Sequence, residues 1–186
     1  MLNVFRRIFQ IKKVMVYCIK TDELHDINTK IQCSVLPINI NICDRVLEMR
    51  DEEVLDSFIN MLNSHQIGVF GESDGKIVSH AWMQIYEDKQ NNYNESLGYI
   101  KENEAVIHYC NTVPHYRGNN IYPFLVSNLA STFFKANKNG VLYITTDVDN
   151  ISSQNGLTKI GFRFFGKRIL FKIAKFIKFS IKYKDN

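Results

Sequence analysis

Residues 105–129 read AVIHYCNTVPHYRGNNIYPFLVSNL, and this stretch decides the fold. Val106, Ile107, Tyr109 and Val113 are β-branched or aromatic, which predicts a strand, and Pro114 ends it. A polar loop follows, HYRGNN at 115–120. Ile121, Phe124, Leu125 and Leu129 then recur at helical spacing, with Pro123 in the first turn, where a missing N–H costs nothing. A strand, a tight polar loop and a helix start offer free backbone N–H groups and the positive end of a helix dipole to an anion. Arg117 adds a fixed positive charge. On these residues alone two readings stand, a pyrophosphate site and an ordinary strand-to-helix turn, because one glycine is a weak signal.

Working outward, Asp74-Gly75 between two apolar runs predicts a hairpin over residues 67–83. Trp82 is expected in the core and His80 at the surface. Short strands are expected at 14–20 and 31–40, and an amphipathic helix at 52–63 behind Asp51 as its cap. Residues 87–96 read as a polar loop and 97–100 as an edge strand. A helix is expected over 120–137, a buried strand over 141–146, a helix after Asn150, and a strand or hairpin beyond Gly161-Phe162. The pattern is α/β (α+β): a mixed sheet of about six or seven strands with helices on both faces.

The whole chain, residues 1–186, reads as one domain with an ordinary 45% of hydrophobic residues. No apolar run approaches the ~20 residues of a membrane span. Arg6, Arg7, Lys12 and Lys13 enclose only a broken apolar stretch, which argues against a cleaved signal peptide. The four cysteines, Cys18, Cys33, Cys43 and Cys110, lack C-x-x-C spacing and read as free thiols of a reducing cytoplasm; no metal is expected. Cys110 reads as a packed core residue rather than a nucleophile.

Charge is unevenly placed. Residues 1–158 hold 14 basic and 18 acidic side chains, a balance of −4; residues 159–186 hold 9 and 1, a balance of +8; together they give the net +4. The basic segment is read as a C-terminal extension from about residue 167. Lys172, Lys175, Lys178 and Lys182 would form one stripe if helical, suited to an anionic membrane surface. The blander reading is a final strand and a solvated tail, since 178–184 alternate as KFSIKYK. Nucleic acid is the least favoured partner.

Residues 114–118, PHYRG, resemble the P-x-x-R-G start of the acetyl-CoA loop of the GNAT N-acyltransferases. That loop is usually written Q/R-x-x-G-x-G/A. Arg117 takes its first place, and Asn120 and Tyr122 stand where Gly and Gly or Ala are usual. Downstream, Asn150-Ile151-Ser152-Ser153 through Lys159-Ile160-Gly161-Phe162 is similar to the family's N-x-x-A/S…K-x-G-F segment. Two matches in order reverse the balance toward the phosphate site. The resemblance is strongest over 67–165.

The resemblance implies a mostly antiparallel sheet in which two parallel strands splay, with acetyl-CoA as co-substrate between them. Backbone groups at Cys110 and Thr112 would pair with the pantetheine arm. Backbone N–H groups of Arg117, Gly118, Asn119, Asn120, Ile121 and Tyr122 would hold the pyrophosphate. Asn150 would meet the pantetheine, with Ser153 beside it. His108 is the candidate base, because it shares strand parity with Cys110 and Thr112; a satisfied sheet histidine is the equal alternative. Glu104 is the second candidate, and Asp147 would bind a cationic acceptor. The tyrosine that family members often carry seven residues after the helix-starting Asn is Leu157 here, so the acid stays open between Tyr109 and Tyr122.

The expected function is acetyl transfer from acetyl-CoA to a primary amine of a small molecule, by direct attack in a ternary complex. The N-terminal strands and the R-G-x-x-I-Y-P loop lean it toward an amino sugar or sugar-nucleotide of surface-polysaccharide synthesis. The alternatives are a non-catalytic CoA-binding module and a nucleic-acid-binding protein. The expected location is cytoplasmic, with peripheral attachment at the inner face of the membrane admitted, and a homodimer is left open.

Overall fold

The strand built on Val106 and Ile107 lies in the interior of an eight-stranded sheet. The computed structural model describes residues 9–88, 92–173 and 177–183. Its strands are β1 (Phe9–Ile19), β2 (Ser34–Pro37), β3 (Ile67–Ser73), β4 (Lys76–Ile85), β5 (Tyr93–Asn94), β6 (Gly98–Tyr99), β7 (Glu104–Thr112), β8 (Val141–Asp147), β9 (Arg163–Ile173) and β10 (Ile177–Tyr183). The helices are α1 (Glu52–Asn63), α2 (Ile121–Ala136) and α3 (Ile151–Ile160). The sheet runs β10-β9-β1-β8-β7-β4-β3-β2; every neighbouring pair is antiparallel except β7 and β8.

Helices cover both faces. Phe58 and Val54 of α1 pack with Phe70, Ile77 and Trp82 on one side, and Phe58, Phe70 and Trp82 are fully buried. Burial of such side chains contributes about 2–3 kcal/mol each. Leu125, Leu129 and Phe133 of α2 and Leu157 and Ile160 of α3 pack with Tyr17, Met83, Ile107 and Ile144 on the other side. The Asp74-Gly75 hairpin forms as expected, with φ of 52° and 74° at its two central residues. Asp51 precedes α1 with extended backbone but makes no side-chain cap bond. Gly161 ends α3 at φ 107°, and any Cβ there would collide with the Glu23 carbonyl.

Several expectations change. The first strand is longer than 14–20, and β1 inserts between β8 and β9. Only Ser34–Pro37 of the stretch 31–40 is strand. The expected edge strand at 97–100 is half of a separate two-stranded ladder, β5 with β6. The basic segment is not an appended tail, because residues 167–173 continue β9 and β10 pairs with it, so the helical lysine stripe does not form. Lys175 and residues 184–186 lie outside the described residues, as does the basic cluster at 1–8. His80 is buried at 1% exposure under Phe58, not at the surface. Among the described residues no helix is long and apolar enough to cross a membrane. All four cysteines are free.

Candidate active site

The parallel pairing of β7 with β8 stops at Ile107 opposite Ile144. Beyond it the two strands lose their ladder, and a gap opens in the sheet between residues 108–112 and 145–147. A cavity of about 720 Å³ enters the gap from the α2–α3 side. A second, of about 970 Å³, enters from the α1 side. His108, Tyr109, Thr145, Thr146 and Asp147 line both, so the two meet through the sheet.

A bulge shapes one edge of the gap. Trp82 pairs with His108 and His80 with Asn111, so three steps on β7 match two on β4. Tyr109 takes the strain at φ 49°. This breaks the parity from which His108 was aligned with Cys110 and Thr112. Cys110 packs against the α2-side core, and Thr112 Oγ1 lies 2.9 Å from Ser79 Oγ. His108 turns to the α1 side, where Nε2 lies 2.8 Å from Gln66 Oε1. The Tyr109 ring also lies toward α1, 5.5 Å from His80 and 6.2 Å from Phe58.

Burial pushes the His108 pKa down to about 4, so its imidazole is neutral at physiological pH. Burial pushes the Cys110 thiol up to about 12, and its S–H donates to the His108 carbonyl, so it carries no thiolate. Glu104 is not brought to the gap. It pairs with Val141 at the closed end of the strands, where its carboxylate accepts from the Lys101 N–H and the Tyr143 hydroxyl. That is roughly 13 Å along β7 from His108.

The loop before α2 lines the 720 Å³ cavity through Arg117, Gly118, Asn120, Ile121 and Tyr122. Gly118 is at φ 81° with nothing within 4 Å of a would-be Cβ, and Asn120 caps α2 at φ 60°. Both are left-handed positions at a helix start, a backbone arrangement suited to an anion. Arg117 Nε donates to the Thr112 carbonyl at 3.0 Å, which fixes the guanidinium at the cavity wall. The Asn119 side chain donates to the Tyr116 carbonyl and braces the loop. The Ile121 side chain is in the core.

Across the cavity, Asn150 caps α3, its Oδ1 accepting from the Ser153 N–H at 3.0 Å. The Ser153 hydroxyl donates to the Tyr122 hydroxyl at 2.9 Å, and the Tyr122 ring lies against Gly156. Leu157 is wholly buried in the core.

The other cavity is lined mainly by amides, hydroxyls and carboxylates, among them Gln66, Gln84, Glu87, Asn94, Glu95 and Ser57. Asp147 stands at its junction with the first cavity, paired with Lys12 of β1 at 2.7 Å. Sequence reading missed Gln66, Lys12 and Lys30, which long-range packing alone brings to the two cavities, and left Lys159 unassigned although its motif was visible. Among the described residues no group of three or more His, Cys, Asp or Glu side chains is placed to hold a metal ion.

The acetyltransferase (GNAT) family model matches residues 38–162. No curated protein matches the sequence. Among solved structures, a GNAT-family protein from Novosphingobium aromaticivorans DSM 12444 superposes with a TM-score of 0.61 at 13% identity, over 91% of this chain and 68% of its own. An acetyltransferase of the GNAT family from Colwellia psychrerythraea gives 0.61 at 14%, over 94% and 57%. The aminoglycoside N-acetyltransferase AAC(6')-Iy, solved in complex with CoA, gives 0.54 at 15%, over 82% and 99%. At these identities the likeness is one of fold. The chain spans little more than half the length of several of the structures it matches.

Proposed function

We propose that this chain, which belongs to the acetyltransferase (GNAT) family of acyl-CoA N-acyltransferases, moves an acetyl group from acetyl-CoA to a primary amine of a small polar molecule by direct attack. The observation that carries this reading is the meeting of two cavities through the gap between β7 and β8. The loop at 117–122 and the α2 N-terminus suit the pyrophosphate. From there the pantetheine arm runs inward past Cys110 and Thr112 and brings the thioester to the level of His108 and Thr145. An amine entering from the α1 side then meets the carbonyl carbon without a covalent enzyme intermediate. The Cys110 thiol is unsuited to such an intermediate, being held protonated.

The amine must lose a proton on attack, and neutral His108, held by Gln66, is the group at the junction that accepts one. The departing thiolate needs a hydrogen-bond donor. Tyr122 suits this, because Ser153 donates to its oxygen and leaves its own proton free to turn toward the cavity. Asp147 attracts the ammonium form of the acceptor, moderated by Lys12. The amide- and hydroxyl-rich lining of the acceptor cavity favours a hydroxylated amine such as an amino sugar.

The test is CoA thiol release from acetyl-CoA in the presence of glucosamine, spermidine or an aminoglycoside, with mass analysis of the product. Amine-dependent release with a singly acetylated product supports the reading. Binding of acetyl-CoA without amine-dependent turnover would favour a non-catalytic CoA-binding module instead.

A further inference from the structure

Residues 20–33 lie outside the segment that the family model matches; they form a strap across α2 and α3, and Lys30 of this strap lines the cavity on that side. Its anchoring is extensive. Thr21 Oγ1 donates to the Lys138 carbonyl at 2.6 Å, and Glu23 pairs with Arg163. The His25 N–H donates to the Ile160 carbonyl at 2.8 Å, and the His25 carbonyl accepts from Ser127 at 3.0 Å. The Lys30 N–H donates to the Asn119 carbonyl at 3.0 Å, which pins this lysine to the phosphate loop. Asn120 is a hub: its amide nitrogen donates to the Asn28 carbonyl and its oxygen accepts from Lys159 Nζ, both at 3.5 Å.

Three cations, Lys30, Arg117 and Lys159, therefore line this cavity, and its one carboxylate, Asp147, is at the inner end. If the pyrophosphate sits on the loop and the pantetheine runs inward, the nucleotide end of the donor faces the strap. The ribose 3′-phosphate, carrying up to two negative charges at neutral pH, then needs cations just there. We infer that Lys30, supported by Lys159, forms a subsite for the 3′-phosphate, so that the protein selects CoA over 3′-dephospho-CoA. This rests on the reading of the cavity as an acetyl-CoA site. It also gives Asn120 a purpose that glycine at that position does not serve, since the asparagine side chain ties the strap and Lys159 to the loop.

The test is calorimetric titration of the full chain and its Lys30→Gln variant with CoA and with 3′-dephospho-CoA. Lys30 is exposed, so the substitution leaves folding intact, checked by an unchanged melting temperature. The wild type is expected to prefer CoA by about tenfold, and the variant to lose most of that preference through weaker CoA binding alone. Equal weakening of both ligands, or unchanged CoA affinity in the variant, would overturn the 3′-phosphate assignment. Failure of the wild type to bind either ligand would instead overturn the acetyl-CoA reading beneath it.

Discussion

Nε2 of His108 and Oε1 of Gln66 lie 2.8 Å apart, one residue on the bulged strand and the other in the turn after α1. The contact occupies Nε2, so in the proposed mechanism Nδ1 is the nitrogen that takes a proton from the amine. With a pKa near 4, His108 stays neutral through the physiological range, and its titration does not set an inflection near pH 6.5.

His108→Ala should lower kcat by about 10²-fold, the low end for a positioned base, because a weakly basic imidazole supplies less driving force. Acetyl-CoA affinity should hold, since the cofactor is gripped mainly by backbone. Gln66→Glu should set a carboxylate against the ring, raise the His108 pKa and bring an inflection into the rate profile between pH 4 and 7. Rate–pH curves of the three proteins decide this; an unchanged kcat in His108→Ala removes the residue from the mechanism.

Tyr122→Phe keeps the ring against Gly156 and deletes only the hydroxyl. If that hydroxyl donates to the leaving thiolate, kcat should fall roughly tenfold with CoA affinity little changed. A wild-type rate in this variant would leave Tyr122 as packing alone.

Stability should fall in mild acid. Burial holds both His80 and His108 at a pKa of about 4, well below the usual value for an unfolded chain. Between pH 4 and 6.5 the unfolded state binds more protons, so stability rises with pH across that window and is lost as pH falls through it. Each group contributes on the order of 3 kcal/mol to the change. His80→Phe should shrink the acid loss by about half, read from melting temperatures against pH; an undiminished loss would place its origin elsewhere.

Deletion of residues 1–20 removes a strand paired on both sides, with β8 and with β9. Buried Val14, Val16 and Ile19 go with it. The shortened chain should fail to fold even though the family-matched segment is intact. Circular dichroism with a cooperative melt, and retained acetyl-CoA binding, would contradict this.

Local chemistry explains which parts of the fold were legible. The hairpin at Asp74-Gly75, the strand–loop–helix around Gly118 and the capped start of α3 at Asn150 each depend on residues within a few positions of one another. The bulge at Tyr109 depends on how β7 registers against β4, so strand parity carried His108 to the wrong face. His80 reads as a polar residue on a half-exposed strand, but α1 lays Phe58 across it. Lys172, Lys178 and Lys182 have helical spacing, yet the β1–β9 and β9–β10 ladders hold them in strands. Lys30 comes to the loop before α2 only because its strap is anchored on α2 and α3.

The central claim is that acetyl-CoA binds at the loop before α2, with its thioester in the gap between β7 and β8. It is tested most directly by titrating acetyl-CoA into the wild type and Gly118→Asp. The wild type should bind; the variant, with an acidic side chain at a left-handed position beside the pyrophosphate, should lose roughly 10²-fold or more in affinity while remaining folded. Equal affinity in the two proteins would contradict the placement of the cofactor.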